Sequence, residues 1–312
     1  MQRLTENRII LVVRRTRLED LIAKFNTLHQ AKFYVEHLGA DFRSYEEEHA
    51  TYVHARETCE AALARCGRVS VVERSFLPNF LFHPADTVVV LGQDGTVANT
   101  LKYLDRQPCL GVNPDPARWD GVLLPFLAKD LVQVIPEVFD GRQPLRSVTF
   151  ARADLNTGES LLAVNDIFVG PSSHISARYA ISFNGISEHH SSSGLIVSTG
   201  LGSTGWFKSL VQGAVGLASG WGGTSGSPPP PLLPWDSPQL YFTVREPFPS
   251  RSSQANLLFG AITRDAPLEL VSEMPANGVI FSDGIEKDFL AFNNGAKAVI
   301  TALPGRGMLV GR

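Results

Sequence analysis

Hydrophobic residues in the first third of the chain fall in short runs that alternate with longer stretches free of proline and glycine. The short runs are typical of buried strands, and they are Ile9–Val13, Val69–Val72, Asp86–Leu91 and Cys109–Val112. The longer stretches predict helices over Arg17–Leu38, Ser44–Cys66 and Thr96–Leu104. Strands that alternate with helices imply right-handed crossovers and a mainly parallel sheet.

After about Pro125 the pattern changes to short strand-like runs separated by turn residues such as Asn184-Gly185 and Asp283-Gly284. The runs are Ser147–Arg152, Ser160–Val169, Ala177–Phe183, Leu195–Ser198, Gln239–Val244, Ala266–Val271, Gly278–Phe281 and Lys297–Thr301. Short strands at this spacing predict an all-β domain. We therefore expect an α/β domain over residues 1–125 and a β-rich domain over 126–301, with 302–312 as a candidate return to the first domain.

One segment, residues 213–238, is rich in glycine and proline and includes the run Pro228–Pro231. It cannot be a regular helix or a central strand throughout its length. We interpret it as a surface loop or a partly disordered insertion. A lid or an arm for oligomer contacts is the functional alternative.

Composition adds little to this picture. The 312 residues carry 28 Lys and Arg against 31 Asp and Glu, a net charge of −3, which argues against a nucleic-acid binder. No apolar run approaches the roughly 20 residues of a membrane span. Three cysteines predict neither a disulfide framework nor a zinc site. With no apolar leader at Met1–Asn7, we expect a cytoplasmic protein.

The sequence Gly92-Gln93-Asp94-Gly95-Thr96 follows a strand-like run and precedes a predicted helix. Glycines let a ligand approach the backbone, and the free N–H groups at a helix start favour phosphate. An aspartate in such a loop suits phosphoryl transfer to a hydroxyl, where it orients and deprotonates the nucleophile. An ordinary Asp-Gly turn is the alternative.

Four segments, in order, resemble the NAD kinase family. Gly92–Thr96 resembles its GGDGT motif, Leu110–Asn113 a strand end with the pattern G-[IV]-N, Asn165-Asp166 its Asn-Glu pair, and Ser193–Trp206 its DGLIVSTPTGSTAY segment. The resemblance spans most of the chain. Gly111–Pro116, Ser192–Gly194, Val244–Pro247, Asp283-Gly284 and Phe292–Gly295 make it closest to the mitochondrial-type branch and its bacterial relatives.

The resemblance implies an N-terminal α/β domain, a β-sandwich-like C-terminal domain and a site in the cleft between them. It implies an enzyme that transfers the γ-phosphate of ATP to the 2′-hydroxyl of the adenosine ribose of NAD, giving NADP. Mg²⁺ would enter with ATP, because the sequence shows no dedicated cage of ligands for a metal. The partners implied are small molecules and further copies of the chain, in a homodimer or higher homo-oligomer.

The resemblance also implies roles for individual residues. Asp94 matches the catalytic aspartate, with Gly92, Gln93, Gly95 and Thr96 forming the phosphate loop around it. The implied NAD-binding residues are Asn113, Asn165, Asp166, Ser193, Thr199, Gly202, Ser203, Thr204, Gly205, Trp206 and Ser209.

The sequence departs from the family pattern at several of these positions. Gln93 replaces a glycine, which we expect to be tolerated if its φ is negative and otherwise to alter donor handling. Ser193 replaces an aspartate, Trp206 a tyrosine and Asp166 a glutamate; Gly200-Leu201 replaces Pro-Thr. These changes leave two other functions open, a lipid or sugar kinase of the same superfamily and a dinucleotide-binding sensor without catalysis.

Two clusters lie outside the motifs. Arg14, Arg15 and Arg17 follow the first predicted strand, where they would contact ATP phosphates or form a solvated cluster. His189 and His190 are adjacent, so on a strand they would point to opposite faces. We expect an exposed loop or strand edge there rather than a metal site.

Overall fold

The computed structural model describes residues 4–222 and 230–312 and divides into two compact units. The first consists of Met1–Arg146 and Met308–Arg312, and the second of Ser147–Gly307. The fold is the predicted one, a mixed α/β unit with a mainly parallel sheet and a second, all-β unit. The division falls at Arg146 rather than near residue 125.

The first unit has a parallel sheet covered by helices. Its strands are β1 Arg8–Val13, β2 Arg68–Glu73, β3 Thr87–Leu91, β4 Pro108–Asn113 and β5 Phe126–Leu127. Its helices are α1 Arg17–Phe25, α2 Leu28–His37, α3 Arg43–Ala64, α4 Asp94–Leu101 and α5 Leu131–Phe139, with 3-10 turns at Arg74–Asn79 and Ala128–Asp130.

The strands of the first unit lie in the order β2-β1-β3-β4, all parallel. Met308 and Leu309, near the carboxyl end of the chain, pair with Pro108 and Cys109. The strand order reverses between β1 and β3, and in sheets of this kind ligands bind outside the carboxyl ends of the strands at that point. Arg14 and Gly92 begin the loops that follow β1 and β3 there.

Two differences from the sequence expectations have local causes. The expected helix over 17–38 is two helices, because Asn26 is left-handed at φ 66° and Thr27 caps α2 by accepting the N–H of Gln30 at 3.2 Å. The later domain boundary arises because β5 pairs with β4, and Leu131 and Ile135 of α5 are buried in the core of the first unit.

The second unit consists of antiparallel strands whose inner faces enclose one hydrophobic core. Its strands are β6 Leu145–Leu155, β7 Ser160–Ala163, β8 Asp166–Pro171, β9 Ala177–Phe183, β10 Ile186–Ser192, β11 Leu195–Ser198, β12 Leu240–Val244, β13 Phe259–Ile262, β14 Leu268–Ser272, β15 Gly278–Ser282, β16 Ile285–Ala291 and β17 Lys297–Val310. Its helix is α6 Trp206–Gly220, preceded by a 3-10 turn at Gly202–Thr204. One sheet has the order β13-β12-β11-β8-β15-β16.

The segment 213–238 is not a loop from its start. Helix α6 continues to Gly220, because the first proline of the segment is Pro228 and single glycines cost a helix only about 1 kcal/mol each. Residues 223–229 lie outside the described part of the chain. The predicted loop can therefore be compared with the structure only at residues 213–222 and 230–238.

The expectation of a strand edge at the two histidines is confirmed, since β10 is the edge strand of its sheet and His189 is 63% exposed, but His190 is buried rather than exposed. They lie on β10, whose inward residues are Glu188, His190 and Ser192. His190 is 2% exposed and its Nε2 lies 2.9 Å from Oε2 of Glu188, while His189 pairs with Glu273 at 2.6 Å. A hydrophobic pattern could not predict this strand, because its buried face is polar.

The arginines after β1 are largely committed to contacts within the protein. Glu48 of α3 is 3% exposed and accepts from Nη2 of Arg14 at 2.9 Å and from Nε of Arg17 at 2.6 Å. Burial opposes ionisation of Glu48, but hydrogen bonds from Arg17 and Arg14 prevail and lower its pKa. Arg15 pairs with Glu73 at 3.4 Å. The arginines thus form a structural network rather than an open phosphate site.

Tyr52 of α3 joins the carboxyl ends of β1 and β3. Its hydroxyl accepts the N–H of Arg14 at 2.8 Å and donates to the carbonyl of Leu91 at 3.0 Å. The side chain is 3% exposed, and burial raises its pKa to about 12. The two loops that leave these strands are therefore held by one buried hydroxyl.

None of the described helices is long and apolar enough to cross a membrane.

We expect Tyr52→Phe to lower the free energy of unfolding by about 2 kcal/mol, because it leaves a buried N–H and a buried carbonyl without their partner. Urea unfolding followed by circular dichroism measures this. Tyr34→Phe is the matched control, since Tyr34 is 43% exposed and its hydroxyl makes no hydrogen bond in the described chain. Equal stability of the two variants would contradict the role of Tyr52.

Candidate functional site

In the first unit, the loop Gly92–Thr96 begins helix α4. Gln93 precedes the helix in an extended conformation at φ −113°, so the side chain that replaces a glycine causes no backbone strain. The N–H groups of Gln93, Asp94 and Gly95 donate to no group in the described chain. Gly92 and Thr96 are buried, whereas Gly95 is exposed with open space around it. The loop therefore presents unpaired N–H donors, as an anion site requires.

Asp94 is the first residue of α4 and is partly exposed. Its Oδ1 accepts the N–H of Leu123 at 2.7 Å, and its Oδ2 lies 3.3 Å from the N–H of Val122. One oxygen is thus held firmly and the other only weakly. The carboxylate has a fixed orientation and keeps accepting capacity on Oδ2.

Asn113 has a different position from the one its predicted role suggests. It is 5% exposed at the end of β4, where its amide donates to the carbonyl of Trp119 at 3.0 Å and accepts the N–H of Asp115 at 3.0 Å. Both ends of the amide hold the loop after β4. Its predicted contact with NAD would have to compete with these bonds.

In the second unit, the pair Asn165-Asp166 lies at the break between β7 and β8. The predicted single strand over 160–169 is interrupted here because the N–H groups of Val164 and Asn165 donate to the carboxylate of Asp283, at 3.1 and 2.6 Å. Asp283 occupies the tight turn between β15 and β16 with φ 55°. Its carboxylate replaces a neighbouring strand as the acceptor.

The side chains of Asn165 and Asp166 make no hydrogen bond within the described chain. Both are partly buried. Burial, followed by the nearby negative charge of Asp283, raises the pKa of Asp166 from 3.8 to about 7. An amide and a carboxyl group that are fixed in place but unpaired suit a ligand with several hydroxyl groups.

The loop after β11 packs against the same break. Ser198 pairs with Asp166 in the sheet, and the next residue, Thr199, donates from its hydroxyl to the carbonyl of Val164 at 2.6 Å. The N–H of Gly202 donates to that hydroxyl at 3.1 Å. A Cβ at Gly202 would collide with the carbonyl of Asn165. The loop is therefore held against the Asn165-Asp166 pair.

Ser203 completes this loop, and the remaining predicted residues follow it. Ser203 is buried, and its hydroxyl donates to the carbonyl of Gly200 at 2.7 Å. Thr204, Gly205 and Ser209 are exposed around the first turn of α6. Gly200 departs from the family pattern, and the structure explains the glycine, because a Cβ at this position would collide with the carbonyl of Pro234.

Trp206 and Ser193 line a pocket of about 790 Å³ that lies wholly within the second unit. Phe168 of β8 stacks on Trp206 with ring centroids 5.9 Å apart, and Phe281 packs against Phe168. Arg245, after β12, places its guanidinium 5.3 Å from the centre of the Trp206 ring. Further lining residues include His174, Asn277, Glu286, Phe289 and Asn293. The aromatic walls suit a planar base.

The structure thus gathers Asn165, Asp166 and the Thr199–Trp206 loop in one region of the second unit. Three residues of that region were absent from the predicted site, namely Asp283, Arg245 and Phe168. The Asp-Gly turn at 283 carried a signal, since an aspartate before glycine after a strand is a candidate acceptor. Arg245 lies in Val244–Pro247, a segment that resembles the family, but no site role was predicted for it. Phe168 carried no signal, because its pattern is that of an ordinary strand residue.

Among the described residues, no group of three or more His, Cys, Asp and Glu side chains could hold a metal ion. Asp94 is the carboxylate within the loop after β3, whose N–H groups at residues 93–95 donate to no group of the described chain.

The chain shares its fold with two solved structures. An NAD kinase from Archaeoglobus fulgidus in complex with ATP is 16% identical, with a TM-score of 0.55 over 97% of this chain and 93% of that one. A yeast NADH kinase in complex with NADH is also 16% identical, with a TM-score of 0.58 over 99% of this chain and 84% of that one.

In sequence, the chain is 28% identical over 238 residues to a probable NADH kinase of Oryza sativa subsp. japonica. The aligned region covers 68% of this chain and 67% of that protein. No family model matches the chain.

Fold and motif order together define a protein with the two-domain NAD kinase fold. The resemblance to the NAD kinase family that the motifs predict is confirmed by these comparisons.

We expect Gly202→Ala to displace the loop after β11, because the new methyl group meets the carbonyl of Asn165. Calorimetry should show at least tenfold weaker binding of NAD or NADH, roughly 1.4 kcal/mol. Gly213→Ala is the control: its Cβ would meet nothing within 4 Å, so binding should stay unchanged and α6 should gain up to about 1 kcal/mol. Unchanged binding in Gly202→Ala would contradict the packing argument.

Asp166→Asn should stabilise the protein at alkaline pH. The folded-state pKa of Asp166 is about 7 against an ordinary 3.8, so the unfolded chain ionises first and stability falls as pH rises above 4. At pH 8 we expect the variant to be more stable on the order of 2 kcal/mol, with the difference vanishing near pH 4.

Thermal unfolding at several pH values measures this difference. Asp265→Asn, which changes an exposed carboxylate in the same unit, should leave the pH dependence unaltered. A stabilisation that is the same at pH 4 and pH 8 would contradict the raised pKa.

Proposed function

We propose that the protein transfers the γ-phosphate of ATP to the 2′-hydroxyl of the adenosine ribose of NAD or NADH. The observation that carries the proposal is the unpaired Asn165-Asp166 side chains, which the carboxylate of Asp283 fixes through backbone bonds. A ribose offers the hydroxyl groups that such a pair can bind. The relatives support both forms of the acceptor, since two are NADH kinases and one an NAD kinase.

The loop after β3 supplies the groups for the transfer. The unpaired N–H groups of Gln93, Asp94 and Gly95 would bind phosphate oxygens at the positive end of α4. The weakly bound Oδ2 of Asp94 would accept the proton of the 2′-hydroxyl. The bond from the 2′-oxygen of the ribose to the γ-phosphorus forms as the bond from that phosphorus to the β,γ-bridging oxygen breaks, so ADP leaves with the electron pair.

Mg²⁺, which would be held by the phosphates of ATP, would supply charge neutralisation during the transfer. Asp94 is thus the single protein carboxylate that the proposal needs on the donor side.

A lipid or sugar kinase using the same aspartate is the second candidate. The second unit disfavours it, because the aromatic pocket of Trp206 and Phe168 lies on the same face of the sheet as Asp166. A planar base joined to a ribose matches that combination, whereas a lone sugar leaves the aromatic walls unused. Labelled ATP offered with lipid, sugar and dinucleotide acceptors distinguishes these functions.

Asp94→Asn should lower kcat at least a hundredfold while the Kd for NAD or NADH stays within about threefold. The purified protein is assayed with ATP, Mg²⁺ and each dinucleotide, and NADP or NADPH is measured. Asp140→Asn, an exposed carboxylate of the same unit that pairs with Arg142, is the control and should keep full activity.

Near-normal turnover of Asp94→Asn would overturn the mechanism. Dinucleotide binding without product from the wild-type protein, with ATP or with polyphosphate, would instead indicate a sensor.

A further inference from the structure

A second cavity of the β-rich unit lies at the edge strand β10, apart from the pocket of Trp206. Its volume is about 280 Å³, and none of its lining residues lines that other pocket. Strands β9 and β10 contribute Arg178 and Ser191, Ser176 precedes β9, and the chain after β12 contributes Phe248 and three serines. The lining is therefore rich in hydrogen-bond donors.

The guanidinium of Arg178 is an unused cation at this cavity. Arg178 is exposed on β9, directly opposite Ser191 of β10. On its other side, the N–H of Glu273 donates to the carbonyl of Arg178 at 2.9 Å, but the carboxylate of Glu273 lies 2.6 Å from Nδ1 of His189 instead. The side chain of Arg178 makes no ion pair or hydrogen bond within the described chain. Its planar fork of N–H donors is therefore available to an anion.

Hydroxyl groups share the cavity with this guanidinium. The hydroxyls of Ser176 and Ser191 make no hydrogen bond within the described chain. A carboxylate has two oxygens to satisfy, whereas a phosphate group has at least three. A guanidinium together with two unused hydroxyls matches the larger number, so the donor set favours phosphate.

The wall formed by the chain after β12 is fixed by its own hydrogen bonds. The N–H of Phe248 donates to the carbonyl of Ser191 at 2.8 Å, which joins this wall to β10. The hydroxyls of Ser250 and Ser253 lie 2.7 Å apart, and that of Ser253 donates to the carbonyl of Phe248 at 2.8 Å. A small ligand would not have to order this wall on binding, which lowers the entropy that binding costs.

A buried group without a partner belongs to the same lining. His190 lines the cavity and is 2% exposed. Its Nε2 lies 2.9 Å from the carboxylate of Glu188, whereas its Nδ1 is buried and has no hydrogen-bond partner in the described chain. Buried polar atoms of native proteins have partners as a rule, so Nδ1 is a ring atom left for a bound group.

We propose that this cavity is a binding site for a phosphate group, either the free ion or a small phosphomonoester. The guanidinium of Arg178 and the hydroxyls of Ser176 and Ser191 are its donors. The volume is below that of cavities that bury drug-sized ligands, so it excludes a dinucleotide. The site is therefore separate from the one proposed for phosphoryl transfer.

The test is a titration of the isotopically labelled protein with inorganic phosphate, followed by the backbone amide signals in NMR spectra. The signals of Ser176, Arg178 and Ser191 should shift with a common Kd. Arg178→Gln should raise the Kd measured at Ser176 and Ser191 about tenfold, because hydrogen bonds from a charged donor to an anion are the strong ones. The amide of Gly95 reports separately on phosphate bound at the loop after β3.

Three further variants separate the contributions. Arg178→Lys keeps the charge without the fork and should give an intermediate Kd. Ser191→Ala removes one hydroxyl and should raise the Kd about threefold. Arg152→Gln removes an exposed arginine of the same unit that pairs with Asp154, and it should leave the Kd unchanged.

Glycerol phosphate and acetate identify what the cavity binds. A lower Kd for glycerol phosphate than for inorganic phosphate indicates a small phosphomonoester, and an equal or higher one indicates the free ion; both support the proposal. Acetate at the same ionic strength should cause no such shifts. The proposal is wrong if phosphate leaves the cavity signals unmoved, if acetate moves them equally, or if Arg178→Gln responds like the wild-type protein.

Discussion

The carboxylate of Asp283 is the interaction on which the candidate site of the second unit depends. It accepts the N–H groups of Val164 and Asn165 where β7 ends and before β8 begins, so these two donors keep a partner at the break. The chain can then turn its two polar side chains away from the sheet ladder. Burial raises the pKa of Asp166, and the negative charge of Asp283 raises it further, so the group that builds the site also favours the protonated form of its neighbour.

The effect extends from that turn into the neighbouring loop. The carbonyl of Asn165, fixed in this way, accepts the N–H of Thr199 at 2.9 Å. Residue 202 must be glycine because a Cβ there would collide with the same carbonyl. The hydroxyl of Thr199 likewise donates to the carbonyl of Val164, so it forms a second bond to the same break between the strands. The family resemblance predicts that these residues bind NAD, yet the side chains of several of them form hydrogen bonds to the backbone of the protein instead. Asn165 and Asp166 keep their side-chain polar groups free of hydrogen bonds to the described chain.

The sequence predicts the architecture well where burial and pattern agree, and less well where polar groups do the packing. The strands Ala177–Phe183 and Leu195–Ser198 match the predicted runs, because their buried positions are apolar. The hydrophobic pattern did not predict strand β10, because the buried residues on its inward face are the polar Glu188, His190 and Ser192. The break at Asn165 depends on a carboxylate more than a hundred residues later in the chain, which no local pattern contains.

The arginines of the two units have different surroundings, and this difference explains why the amino-acid composition indicated little about function. In the first unit, Glu48 binds both Arg14 and Arg17, so the carboxyl ends of the strands gain no open basic patch. Anion binding there falls to backbone N–H groups, which a charge count cannot detect. In the second unit, Arg245 lies against the aromatic faces of Trp206 and Phe168 and pairs with the exposed carboxylate of Glu246 at 3.7 Å. The net charge of −3 reports neither arrangement, because it counts charges without their partners and without the burial that reduces their screening.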